Sequence, residues 1–459
     1  MPSLILAQIW GAKLMSYIFL ILKYSLLIFS MVMAHPIYSQ DLESRESRPK
    51  TLKDAIATAI SLNPKTISTD QFLEAVSLEN DAFKKNREPK INVQCSKTLQ
   101  RSRTSFEQIG SHLNEMENAD CEISTSINLY DGGAHRNEYK ESLARENSTR
   151  ASFNTADSLI PNTRGGLANR TLQSYINYIS QKESIDFFLK IKSFTSLLLK
   201  INNSQNLKNA LGSIDQTLLE LNGRLKINEK YFENVVLRKP HEMMEGFEQT
   251  QTNLFIPATA TEAFDRALEN GPEIKRRTYA IEMANYSMKA QKSRREPRLD
   301  LYLGYTTGQS KNPSNPTSDY RSRGSYVTLV LSKQFGFSYG LVDQAAAKYL
   351  ASKESEKEAA ILETQNNLDM TYSTLNFTLE NFEQYKKRYQ SLSKYIYELE
   401  SKIKNNEKID ENIIEILTSI DTVTGMFFKM QKNQIEIINL KYSILQMTGD
   451  LFLQTSSFF

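Results

Sequence analysis

The chain has 459 residues, 40% of them hydrophobic and 24% charged, with a formal net charge of +3. This composition supplies enough apolar side chain for a buried core and excludes general disorder. Basic residues are interleaved with acids instead of gathered into a patch, the pattern of solvated helix faces, so no nucleic-acid partner is expected.

Residues 1–39 read as a secretory signal peptide. Lys13 and Lys23 flank or interrupt apolar runs, Tyr24 to Ala34 is apolar apart from two serines, and Val32-Met33-Ala34 precedes a cleavage-like position. Met15 offers a second start that leaves a more ordinary leader. The alternative, an uncleaved anchor, needs a longer run than the one after Lys23. No cysteine lies near the cleavage region, which excludes a lipid-modified N-terminus. No later stretch approaches about 18 apolar residues, so the rest of the chain would enter a membrane only as a closed β-barrel.

Beyond the leader the chain is one unit written twice, residues 40–258 and 259–449, with a tail at 450–459. Thr51, Ala55, Ala59 and Pro64 recur as Thr259, Ala263, Ala267 and Pro272, and Arg87-Glu88-Pro89 recurs as Arg295-Glu296-Pro297; 295 − 87 = 208 in every case. In each copy a charged helical pattern runs into Glu-Pro, and the proline lacks an N–H and biases its predecessor away from the α region.

The hydrophobic period then changes from helical to alternating. Ile91, Val93 and Cys95 oppose Asn92, Gln94 and Ser96, and a return strand sets Cys121, Ile123, Thr125, Ile127 and Leu129 against Glu122, Ser124, Ser126 and Asn128. The second copy sets Leu299, Leu301, Leu303 and Tyr305 against Asp300, Tyr302, Gly304 and Thr306, then Val327, Leu329 and Leu331 against Tyr326, Thr328, Val330 and Ser332. Two β-hairpins are expected, 91–130 and 299–335, with strands of about ten residues and polar loops at one end. A membrane barrel and a soluble sandwich share this alternation; export and the long helices beside the hairpins favour the barrel.

Cys95 and Cys121, the only cysteines, fall on the same apolar face of adjacent strands, as a cross-strand disulfide requires, in a register the sequence leaves open. Two cysteines without a histidine near both do not make a zinc site.

Each hairpin leads into a glycine-containing turn, Tyr130-Asp131-Gly132-Gly133 and Phe335-Gly336-Phe337-Ser338-Tyr339-Gly340. Pro89, Pro297, Gly133 and Gly340 are therefore the expected strand-helix junctions. A helical pattern from Leu341 to Lys404 would span about 100 Å, and its counterpart in the first copy is interrupted at Ile160 to Gly166. Turns are expected at Asn202 to Asn206 and at Asn405-Asn406-Glu407-Lys408. Beyond them Ser213-Ile214-Asp215 matches Ser419-Ile420-Asp421 (419 − 213 = 206), which marks Asp215 and Asp421 as helix-contact candidates. The last helix carries Ile416, Ile420, Val423, Phe427, Met430, Ile437 and Ile444 as a coiled-coil seam with polar breaks at Gln434 and Lys441.

Taken in order, the duplicated helix, hairpin, aromatic-Asp-Gly-Gly turn, long helical hairpin and terminal Thr448-Gly449 resemble the TolC-like outer-membrane efflux and secretion channels. The resemblance covers about 50–449. It implies a mainly α chain with a membrane β-barrel: a homotrimer, four strands per chain in a twelve-stranded barrel, on a coiled-coil periplasmic tunnel. It implies an exit duct of a tripartite efflux pump or type I secretion system, working with a periplasmic adaptor and an inner-membrane pump in outer-membrane lipid. Counted back from Gly449, the family's entrance acid falls on Glu415; a second acid one turn later is Thr418 here, and Asp410 lies near the tip. The tip turns lack the glycine that the family often places there. Within this reading Leu299 and Leu301 face lipid and Asp300 faces the lumen.

His35, His112, His135 and His241 are isolated, and no phosphate-binding loop, nucleophile elbow or dinucleotide fingerprint occurs, so neither an enzyme nor a cofactor is expected. The alternative is a secreted coiled-coil structural or adhesion protein with soluble hairpins.

Overall fold

A computed structural model describes residues 48–451 except 86, 107–109, 156–162, 312–318, 337 and 406–411, and for 101–115 the strand pairing alone. The leader expected at 1–39, the candidate Asp410 and most of the tail lie outside the described residues. In chain order the elements are α1 (Leu52–Leu62), α2 (Pro64–Lys85), β1 (Lys90–Phe106), β2 (Gly110–Tyr130), α3 (Ala134–Asn154), α4 (Arg164–Ile201), α5 (Gln205–Val236), α6 (Phe247–Asn253), α7 (Ala260–Asn270), α8 (Pro272–Ser293), β3 (Arg298–Lys311), β4 (Tyr320–Ser332), α9 (Tyr339–Lys404) and α10 (Ile413–Thr448).

The duplication is carried at residue resolution. α1 and α7 begin and end 208 residues apart (260 − 52, 270 − 62), as do α2 and α8 (272 − 64, 293 − 85). Local chemistry sets these boundaries. The Thr51 hydroxyl accepts from the Asp54 N–H at 3.0 Å while the Asp54 carboxylate accepts from the Thr51 N–H at 3.2 Å. The Thr259 hydroxyl accepts from the Glu262 N–H at 3.1 Å in the same way. Pro64 and Pro272 open α2 and α8, where a missing N–H is tolerated. Ala55, Ala59, Ala263 and Ala267 are fully buried, so α1 lies close against α4 and α5, and α7 against α9 and α10.

The long helices form two antiparallel hairpins, α4–α5 and α9–α10. α9 has 66 residues, about 100 Å at 1.5 Å per residue. Its counterpart in the first copy is divided into α3 and α4, and the break closes on Thr163, whose hydroxyl accepts from the Gly166 N–H at 2.9 Å. Both hairpins share one core toward their tips, formed by Phe187, Leu207, Leu218, Leu399, Ile416, Ile420, Val423 and Phe427 among others. At its centre the Phe187 and Phe427 rings stack with centroids 4.2 Å apart and planes 4° from parallel.

The seam read on the last helix is the buried face of α10, with Met430 partly covered. Of its two polar breaks, Gln434 is buried and Lys441 has partners in space. Lys441 Nζ donates to the carbonyls of Gln251 at 2.8 Å and Leu254 at 3.4 Å, tying α10 to the connector around α6. Burial pushes the Lys441 ammonium below the ordinary lysine range. Gln431 is buried between α10 and α4, donating to the Ser180 carbonyl at 3.1 Å and accepting from the Ser180 hydroxyl at 3.2 Å.

All four strands join one antiparallel sheet in the order β1-β2-β3-β4. The strands are longer than the ten residues read from alternation: 17, 21, 14 and 13. In the first hairpin, pairing continues from Lys97 opposite Ala119 to Phe106 opposite Gly110. The sequence there is mainly polar and does not alternate, so the ladder persists on backbone hydrogen bonds where the side-chain signal has ended.

Candidate functional site: sheet faces, junctions and helix tips

Residues directly opposite in an antiparallel ladder share a face, so the register fixes the chemistry of both sides of the sheet. Ile91 pairs with Thr125, Thr125 with Leu303, and Leu303 with Val327; one level on, Val93, Ile123, Tyr305 and Ser325 align. The other face aligns Asn92, Ser124, Gly304 and Tyr326, then Gln94, Glu122, Thr306 and Gly324. The two hairpins thus pool their apolar residues on one face and their polar residues on the other.

The polar face is the crowded one. A Cβ at Gly304 would overlap the Tyr326 ring, and one at Gly308 would meet the Asp120 and Ser322 side chains. Asp300 lies here, on the opposite side from Leu299 and Leu301. It is buried, accepts from Asn128 Nδ2 at 2.8 Å and pairs with Arg298 at 2.6 Å. The Tyr326 hydroxyl donates to Glu122 at 2.5 Å. On the apolar face Ile91, Val93, Val327, Leu329 and Leu331 are exposed. Cys95 and Cys121 are register partners with Cα atoms 4.1 Å apart and are joined by a disulfide on this face.

Where strands meet helices, the two copies brace each other. Gly132 and Gly133 hold φ of +65° and +85°. A Cβ at Gly132 would run into Glu296 and the Ser293 carbonyl, in the corresponding junction of the second copy. Asp131 caps the turn, accepting from the Gly133 N–H at 2.9 Å, the His135 N–H at 3.0 Å and Arg87 at 2.5 Å. Opposite, Arg294 pairs with Glu138 at 2.7 Å, and Arg295 pairs with Asp343 at 2.9 Å while stacking over the Tyr339 ring at 4.4 Å. Gly133 sits at this junction as its place in the turn predicts, whereas Asp131 and Gly132, which make the contacts, are not singled out by the sequence; the arginine that opens the repeated Arg-Glu-Pro is the available signal for Asp131.

Pro89 and Pro297 each precede the first strand residue, Lys90 and Arg298. Gly340 differs from its expected role. It lies inside the first turn of α9 with open space where a Cβ would be added, so no tight connection depends on it. Gly132→Ala is therefore expected to cost about 1–3 kcal/mol through left-handed strain and overlap, whereas Gly340→Ala should be neutral or stabilising by up to about 1 kcal/mol. Thermal unfolding of the two variants measures the contrast.

Burial pushes the Asp131 carboxyl up, but Arg87 and the two N–H donors outweigh it and hold it below the ordinary carboxylate range. Because the folded value lies below the unfolded one, ionised Asp131 stabilises the junction above about pH 4. That stabilisation is lost as pH falls through the folded value. The fall in melting temperature below about pH 4 should be shallower in Asp131→Asn, measured against the unmodified chain at each pH.

At the far end, Ser204 caps α5 by accepting from the Leu207 N–H at 3.3 Å, and Asn412 caps α10 by accepting from the Ile414 N–H at 3.1 Å. Glu415 is exposed in the first turn of α10, away from the buried Ile416 and Ile420. Thr418 is exposed beside it, its hydroxyl returned to the Ile414 carbonyl at 2.8 Å. Asp215 pairs with Lys192 across the α4–α5 hairpin at 2.7 Å, while its repeat counterpart Asp421 is exposed on α10.

No family model and no curated protein matches this sequence. Solved structures do match its fold. The outer membrane channel MtrE of Neisseria gonorrhoeae, in its open state, aligns at TM-score 0.61 and 12% identity, over 87% of this chain and 89% of that one. CusC, crystallised to follow folding and transmembrane channel formation, aligns at 0.59 and 13% identity over 90% and 95%. The outer membrane protein VceC of Vibrio cholerae aligns at 0.55 and 10% identity over 87% and 96%. With two hairpins in one amphipathic sheet, and paired helical hairpins carrying it, the chain has the fold of the TolC-like outer-membrane channels.

Proposed function

We propose that three copies of this chain close into a twelve-stranded barrel in the outer membrane, continuous with a helical tunnel. The assembly is the passive exit duct of a tripartite efflux pump or type I secretion system, with a periplasmic adaptor and an inner-membrane pump as partners. The observation that carries this reading is a sheet that is incomplete alone. Among the described residues, β1 and β4 pair on one side each, beside a face of exposed aliphatic side chains. In a bilayer such edges must be closed by further strands.

The long helices carry the same message. On α9, Val342, Tyr349, Met370 and Phe377 are exposed at multiples of seven residues, Met370 at 69% and Phe377 at 65%. Such a stripe on an already paired helix calls for a neighbouring copy.

In this assembly three Glu415 carboxylates ring the tunnel mouth and favour cations. Purified protein in planar bilayers is expected to conduct ions, and Glu415→Ala to weaken block by a trivalent cation roughly tenfold. Conductance with unchanged block would refute the ring. Release of the native protein from membranes by salt would instead favour a peripheral structural protein.

A further inference from the structure

We infer that the outward face of the sheet carries a binding site for the phosphorylated headgroup of an outer-leaflet lipid, at the hairpin end of the apolar band; this rests on the channel reading above. On that face Val93, Ile123 and Tyr305 give way over the next levels to Lys97, Lys311, Arg321 and Arg323. Register places all four cations on the apolar side of the sheet, not the lumen side. Lys311, Arg321 and Arg323 are exposed, and Lys97 pairs with Glu117, a carboxylate of the same face. Nearer the hairpin tip, Arg101 and Glu115 are register partners.

Three of the four cations line a depression, and Lys311 stands one level nearer the hairpin tip. The floor of the depression is Ala119, Thr307 and the Cys95–Cys121 disulfide, and Lys97 stands at one side with Arg321 and Arg323 at the other. At these levels the middle strands carry Ala119, Cys121, Thr307 and Gln309 and the outer strands carry Lys97, Arg321 and Arg323, which makes a cradle about 14 Å across, three strand spacings. Arginine matches a phosphate bidentately, and lysine adds a point charge. The apolar band continues directly from the cradle toward the helices, so an amphiphile could seat its phosphates among the cations and lay its acyl chains on Val93, Ile123 and Val327. Free phosphate lacks that second contact. The helical hairpins leave the sheet at its other end, which puts the cradle at the outer leaflet in the proposed orientation.

The test compares the full-length protein with the triple variant Lys311→Ser/Arg321→Ser/Arg323→Ser by native mass spectrometry from detergent containing bisphosphorylated lipid A or its dephosphorylated form. The unmodified protein should retain the phosphorylated lipid at least about tenfold better than the dephosphorylated one, and the variant should lose that preference. Equimolar inorganic phosphate should not displace the lipid. Equal retention of both lipids, an unchanged preference in the variant, or displacement by free phosphate would each overturn the site. Bilayer conductance of both proteins separates the two failures: conduction without phosphate preference refutes the lipid site alone, and absence of conduction refutes the channel and the site together.

Discussion

Val327→Arg is expected to abolish membrane insertion. Val327 is 74% exposed on the apolar face and lies level with Leu303, Thr125 and Ile91, midway along the apolar band. An arginine at the midplane of a barrel's lipid face costs about 2–4 kcal/mol, and threefold symmetry would apply that cost three times per assembly. Thr328, the next residue, points to the polar face beside Tyr302. Thr328→Arg should therefore insert normally and alter conductance by adding positive charge to the lumen. Membrane fractionation followed by bilayer recording measures both. If Val327→Arg inserts as well as Thr328→Arg, the assignment of faces is wrong and the barrel reading falls with it.

The second large effect is expected in the helices. Phe187 of α4 and Phe427 of α10 stack face to face at the centre of the core that joins the two helical hairpins, with Tyr389 and Phe188 beside them. Phe427→Ala removes a buried ring from a site bounded by four helices and is expected to cost about 3–5 kcal/mol. Because this core holds the hairpins together toward their tips, the loss should appear there first. Limited proteolysis should cleave the variant between α4 and α5 or between α9 and α10 while the sheet remains protected. Phe428→Ala, at a 42% exposed neighbour, should cost far less and serves as the control. Equal protease resistance in the two variants would show that the stacked pair does not hold the hairpins.

Much of this architecture was legible in local chemistry. Glu88-Pro89 and Glu296-Pro297 stop two helices and start two strands wherever they occur, since the ring removes an N–H and crowds the residue before it. Thr51 and Thr259 cap helices through bonds that span three residues. The alternation from Ile91 to Cys95 and from Leu299 to Tyr305 names the two faces of each strand without reference to any other part of the chain. Duplication made each of these signals checkable against its copy. By contrast Gly340 misled, because a glycine beside a strand end resembles the Gly132-Gly133 turn until backbone angles distinguish them. The excess strand length beyond Lys97 is not visible in the alternation, because a mainly polar segment has no hydrophobic period.

The sequence by itself determined the repeat, the element types, the polarity of each strand face and the buried seam of α10, because caps, prolines and periodicity act over a few residues. Only the tertiary structure decided that β2 pairs with β3 to merge two hairpins into one sheet, that Cys95 stands opposite Cys121, that Gly132 against Glu296 and Glu138 with Arg294 brace one repeat against the other, and that Lys441 reaches the connector. These depend on register and on contacts between segments far apart in the chain. Many pairings satisfy the same alternation, and packing the whole chain at once selects the one that buries its apolar faces while satisfying its backbone.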